Sequence, residues 1–156
     1  MVLGTFAGRS LLMNDQDRPI LLVEDNPMDV DLTRRAFKKQ KVMHPVEIAR
    51  DGEEAVAILN NWPHDKPTPI LVLLDLKLPK VDGLEVLQHL KANPRFHPIP
   101  VVILTTSAED RDIQAAYHGG ANSYIAKPVD FDQFMHVVEQ IQIYWCGMNI
   151  PPRSSS

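Results

Sequence analysis

The stretch ILVLLDLKLP, Ile70 to Pro79, carries five apolar residues that run without a break into one carboxylate, Asp75. A strand with one face in water alternates apolar and polar residues, because successive side chains point to opposite faces. Five apolar positions in a row predict a strand covered on both faces, as the central strands of parallel sheets are. The acid at its end has two readings. It either meets solvent there, or the strand delivers it to a site at the carboxyl edge of the sheet.

The flanking sequence repeats this plan. PILLVED (19–25) is a second apolar run, ending in Glu24 and Asp25. It leads into NPMDVDLTRRAFKKQ, where Asn26 is a helix cap, Pro27 suits the first turn, and Met28, Leu32, Ala36 and Phe37 form a buried stripe. PVEIAR (45–50) alternates like a short strand. Asp51 with Glu54, and Asp82 with Glu85, have the spacing of capping boxes, and each opens a helix. The inner stripes of these helices are Ala55, Ile58 and Leu59, then Gly83, Leu87 and Leu90. VVILTT (101–106) is a further apolar strand, and Ser107 with Asp110 predicts the cap of the helix after it. Gly119 and Gly120 stop that helix. SYIAKP (123–128) is a short fifth strand. DFDQFMHVVEQIQIYWCG (130–147) is a last helix with Phe134, Val137, Val138, Ile141 and Trp145 on one face. Five strands alternating with five helices predict a parallel sheet with helices on both faces and right-handed crossovers.

Composition restricts the function. The chain has 156 residues, 44% of them apolar, and a net charge of -4. This suits one globular domain and gives no basic face for nucleic acid. No apolar run approaches the roughly 20 residues that span a bilayer. The single cysteine, Cys146, excludes an internal disulfide or a cysteine-based zinc cluster and fits a reduced cytoplasm; its place in the last helix predicts a buried or interfacial thiol. The six histidines show no ligand spacing. Residues 1–17 are expected to be a flexible arm, 18–147 the domain, and 148–156 a flexible tail.

The strand ends carry the chemistry. Glu24 and Asp25 end the first strand, Asp75 the third, Thr105 and Thr106 the fourth, and Lys127 with Pro128 the fifth. Ligands of open α/β sheets bind outside the carboxyl ends of the strands, so these residues converge. Each alone reads as an ordinary surface or strand residue. Together they make a site. Three crowded carboxylates favour a hard cation with oxygen ligands, such as Mg²⁺. A carboxylate is also a nucleophile that can form an acyl phosphate. Lys127 supplies a point charge and Thr105 a hydroxyl donor.

This pattern, LLVEDN, LLDLKLPKVDG, VVILTTS and NSYIAKP, resembles the receiver domain of two-component response regulators over residues 19–145. The resemblance implies a flavodoxin-like (βα)5 fold with strand order 2-1-3-4-5. It implies that Asp75 accepts a phosphoryl group from a histidine kinase. Asp25, Asp75 and the Lys77 carbonyl would then bind Mg²⁺, with Glu24 acting on it through water. Lys127 would pair with the acyl phosphate, Thr105 would move toward it, and Tyr124 would be the switch. The Lys127–Pro128 bond would be cis. Lys77 and Ser107 would tune dephosphorylation. The long loop NNWPHDKPTPI and the extended YW end are similar to the small single-domain regulators paired with cyanobacterial and bacterial phytochromes.

Such regulators are phosphoacceptor signalling proteins, with only self-phosphorylation and self-dephosphorylation as catalysis. No output domain is visible, so the signal must leave through a surface or a change in assembly. Ile143, Tyr144 and Trp145 suggest a homodimer through the fourth helix, fifth strand and fifth helix. Arg34 and Arg35 on the first helix suggest kinase docking. Three alternatives compete. A phosphatase of the haloacid-dehalogenase type needs a second acid two residues after the nucleophile, where this chain has Lys77. A flavodoxin-type cofactor binder needs a hydroxyl- and glycine-rich phosphate loop after the first strand, where this chain is acidic. A phosphorylation-independent interaction module is the third.

Overall fold

The computed structural model describes residues 15–154. Its elements are β1 (Ile20–Val23), α1 (Pro27–Lys39), β2 (Val46–Ala49), α2 (Gly52–Asn60), β3 (Leu71–Leu74), α3 (Gly83–Ala92), β4 (Val101–Thr105), α4 (Asp110–His118), β5 (Ser123–Ala126) and α5 (Phe131–Gln142). The five strands form one parallel sheet in the order β2-β1-β3-β4-β5. This is the flavodoxin-like arrangement expected from the sequence.

The unbroken apolar strands are explained by two cores, one on each face. Leu21 and Val23 of β1, Val72 and Leu74 of β3, and Val101 and Ile103 of β4 face α2, α3 and Ala116 of α4. The intervening residues Ile20, Leu22, Leu71, Leu73, Val102 and Leu104 face α1 and α5. Each fully buried aliphatic side chain contributes about 1.5–3 kcal/mol. β1 and β3 therefore have no polar position until they leave the sheet.

The helix starts follow the cap residues. Asn26 Oδ1 accepts from the Met28 and Asp29 amides at 2.9 and 3.3 Å. Asp51 and Asp82 accept from Glu54 N and Glu85 N at 2.7 and 3.0 Å. The fourth helix differs from expectation. It begins at Asp110, after Glu109, and has no side-chain cap. The Ser107 oxygen accepts from the Glu109 amide at 3.3 Å, ahead of the helix, while its hydroxyl proton is donated to the charged Asp112 at 2.5 Å. Met28, expected in the α1 stripe, is 55% exposed; Val30 and Thr33 are buried in its place.

The end of the chain also differs from expectation. After α5 the helix widens into a π-helix over Ile143–Met148. The following residues, expected to be loose, are docked. Arg18 donates to the Pro152 carbonyl at 2.8 Å, and Ser154 Oγ accepts from the Thr68 amide at 2.8 Å. The bond to Pro152 helps satisfy a guanidinium that is completely buried. Residues 1–14, most of the expected arm, and 155–156 lie outside the described residues; Asp15–Asp17 forms a single 3-10 turn. Cys146 is half-buried against the α1 and α5 core, and burial pushes its thiol up to about 12.

Candidate functional site

Parallel strands end together, so the residues just beyond them meet. Asp75 N donates to Val23 O at 3.0 Å, which seats the acid beside Glu24. Lys127 N donates to Thr105 O at 2.7 Å and brings the lysine to the same edge. Its ammonium sits among three carboxylates: Glu24 Oε1 at 2.6 Å, Asp29 Oδ2 at 2.8 Å and Asp75 Oδ2 at 2.8 Å. The other Asp75 oxygen, Oδ1, accepts from the Lys77 amide at 3.0 Å. Glu24 Oε2 accepts from Asn26 N at 3.1 Å.

Burial makes these charges interdependent. Asp75 is 5% exposed and Glu24 3%. Burial is the main force on Glu24 and raises its carboxyl to about 7, against the hydrogen bond from Lys127 and with help from the charge of Asp75. Burial weakens the hold of Lys127 on its proton. The hydrogen bonds to Asp29, Asp75 and Glu24 outweigh that and keep it firmly protonated. One buried ammonium thus holds together acids that would otherwise repel.

The donor set fits a hard cation. Glu24, Asp25 and Asp75 each offer a carboxylate oxygen, and these atoms lie within 4.8 Å of one another, with Asp25 exposed. An all-oxygen set of this kind suits Mg²⁺, Mn²⁺ or Ca²⁺, and none of its members is a soft ligand.

Thr105 lies at the floor of the site. It is completely buried, and its hydroxyl is the one buried side-chain polar atom without a hydrogen-bond partner among the described residues. Such a group costs the fold about 1–3 kcal/mol unless something else accepts its proton. Thr106 is exposed. Tyr124 is half-buried, and its hydroxyl donates to Ser107 O at 2.9 Å. Pro128 follows Lys127 across a trans bond, since no cis peptide occurs among the described residues. The expected cis form is absent, and trans is the form that prolyl bonds favour by about 0.5–1 kcal/mol.

Two residues of this site were not expected. Asp29 is the third partner of Lys127; it lies in the first turn of α1, where an acid reads as an ordinary complement to the helix dipole. Asp112, in the first turn of α4, accepts from Ser107 and pairs with Lys77 Nζ at 3.3 Å. The Ser107 hydrogen bond, then Lys77, hold its carboxyl below the usual range against the effect of burial. Arg34 and Arg35 lie away from the cluster on the exposed face of α1, with Arg35 paired to Asp31 at 3.0 Å. Ile143 and Tyr144 are exposed; Trp145 is half-buried with its ring edge-on to Tyr144.

Residues 20–139 match the response regulator receiver domain family. The chain belongs to that family. It is 45% identical over 134 residues to the probable methanogenesis regulatory protein FilR2 of Methanothrix harundinacea, covering 85% of this chain and 86% of the relative. The phosphorylated cyanobacterial phytochrome response regulator RcpA superposes with a TM-score of 0.82 at 39% identity, over 87% of this chain and 99% of that one. The Mn²⁺-bound form of response regulator Rcp1, a Synechocystis protein, superposes with a TM-score of 0.81 at 39% identity, over 86% and 99%. The acidic cluster fits the metal site of receiver domains, and the chain resembles response regulators of phytochromes.

Proposed function

We propose that this receiver domain is a phosphoacceptor switch with Asp75 as the acceptor. The observation that carries the proposal is the treatment of Asp75. It is delivered by the central strand, held by Lys127 on one oxygen and by the Lys77 amide on the other, and set beside two further acids. A merely solvated strand end would need none of these. In the reaction, an Asp75 oxygen bonds to the phosphorus of a phosphohistidine on a histidine kinase. The phosphorus–nitrogen bond breaks, and its electron pair returns to the imidazole nitrogen, which takes up a proton.

The surrounding residues have distinct tasks. Mg²⁺, held by Asp25, Asp75, the Lys77 carbonyl and, through water, Glu24, would neutralise charge on the phosphoryl oxygens. Lys127 already contacts Asp75 and would pair with the acyl phosphate. Thr105 has an unspent donor that a phosphoryl oxygen can accept. Tyr124 is tied by Ser107 to the loop after β4, so movement of that loop would move the ring. Acetyl phosphate with Mg²⁺ should raise the intact mass by about 80 Da in the wild type and not in Asp75→Asn, as an acyl phosphate on that carboxylate requires. Labelling of the variant would refute the assignment.

The partner and output are part of the same reading. The similarity to RcpA and Rcp1 favours a phytochrome-type histidine kinase, which would act in the cytoplasm. Arg34 and Arg35 are placed to receive it, and reversing both charges should slow transfer. Exposed Ile143 and Tyr144, beside the open edge of β5, favour a homodimer through α4, β5 and α5. Light scattering that found only 17.6 kDa particles, with and without phosphorylation, would exclude it.

A further inference from the structure

Lys77 and Ser107 rise from opposite rims of the Asp75 pocket. The Lys77 amide is bonded to Asp75 itself, so its side chain starts beside the acceptor. Ser107 stands two residues past Thr105 on the other rim. Both side chains end on the same atom, Asp112 Oδ2, the hydroxyl at 2.5 Å and the ammonium at 3.3 Å. Asp112 belongs to α4, and its carboxylate keeps a cation away from the pocket that this cation borders.

A phosphoryl group on Asp75 changes the balance. It places about two negative charges within reach of Lys77. Lys77 then has two possible partners, the phosphoryl oxygens and Asp112. The Lys77–Asp112 pair is weak as a stabilising contact, because Lys77 is 57% exposed and its charge is screened. A contact of this strength biases where a flexible ammonium spends its time by a few-fold.

We propose that Asp112 is a positioning residue that shortens the life of the phosphoryl group by holding Lys77 off it. This inference rests on Asp75 as phosphoacceptor. Hydrolysis joins a water oxygen to phosphorus, breaks the bond from phosphorus to the Asp75 oxygen, and returns that electron pair to the carboxylate. The water proton leaves with the phosphate or to solvent. The attacking water and the departing carboxylate stand roughly in line through phosphorus. An ammonium lying over the phosphoryl group covers the face that water must approach. With Lys77 retained by Asp112, that face stays open and hydrolysis is fast.

The test follows decay of the phosphorylated protein by intact mass after acetyl phosphate is removed, with Mg²⁺ present. Asp112→Asn keeps the shape and an acceptor for Ser107 but loses the charge. Its phosphoryl group should decay about three- to tenfold more slowly than that of the wild type. In a double-mutant cycle, K77A and K77A/D112N should decay at the same rate, because without Lys77 the charge of Asp112 has nothing to hold. D112N should melt only slightly below the wild type, as the loss of one first-turn acid requires. Decay of D112N at the wild-type rate would overturn the proposal. So would slowing that persists undiminished in the K77A background, or a lowered melting temperature with unchanged decay. Failure of the wild type to take up any phosphoryl group would instead remove the phosphoacceptor reading itself, and this inference with it.

Discussion

The Thr105 hydroxyl burdens the resting fold and, in the proposed mechanism, is held for a phosphoryl oxygen. It is fully buried and has no hydrogen-bond partner. Valine has nearly the same shape without the unsatisfied group. Thr105→Val should therefore melt at the same temperature as the wild type or higher, by up to about 1–2 kcal/mol of stability. The same variant should lose much of its labelling by acetyl phosphate, or lose the conformational response to it. A variant that melts lower and labels normally would make the hydroxyl structural. Thr105 was legible in the sequence because it ends an apolar strand, where a hydroxyl adds nothing to the packing. Asp29 and Asp112 were not. Both sit in first turns of helices, where acids are common because they complement the helix dipole, so composition could not separate the site residue from the ordinary cap-region acid.

Among the elements, α3 packs directly against the site. Its first residue, Gly83, lies against the strand end that carries Asp75. A Cβ there would lie 2.3 Å from Asp75 O and 2.5 Å from Leu76 Cα. Neither atom can yield without moving Asp75. Gly83→Ala should cost about 1–3 kcal/mol of stability, as overpacking does, and should slow labelling of Asp75 beyond what that loss explains. Gly147 is the control, since a Cβ there meets nothing within 4 Å. Gly147→Ala should leave both quantities intact. Labelling of Gly83→Ala at the wild-type rate would show that the loop tolerates the shift. The elements themselves followed from local signals. Asn26, Asp51 and Asp82 opened their helices because each side chain reaches an amide two or three residues on. Ser107 failed as a cap because α4 starts only at Asp110; its oxygen accepts from the Glu109 amide ahead of the helix while its proton goes to Asp112.

At the scale of the molecule, the two ends of the sheet do different work. The carboxyl ends hold the acids and Lys127. The amino ends are tied together by Arg18, whose guanidinium is completely buried and donates to Thr68 O at 3.0 Å, Pro69 O at 2.9 Å and Pro152 O at 2.8 Å. It thereby joins the entry to β1, the entry to β3 and the C-terminal segment. The sequence offered no sign of this, because an arginine at the edge of an expected flexible arm and a segment rich in proline and serine both read as solvated. Arg18→Ala strands three carbonyls and should lower stability by several kcal/mol, since each buried acceptor left without a partner costs about 1–3 kcal/mol. Arg18→Lys, a point charge without the planar fork, should recover only part of that. Ending the chain at Asn149 removes the Pro152 and Ser154 contacts but leaves Arg18 its bonds to Thr68 and Pro69, so its cost should be smaller. These losses lie a full strand length from Asp75. Measured at a temperature where Arg18→Ala remains folded, its labelling by acetyl phosphate should proceed as in the wild type, because distant changes add without coupling. A folded Arg18→Ala protein that cannot be labelled would mean that the docked tail and the Asp75 cluster are mechanically linked through the sheet.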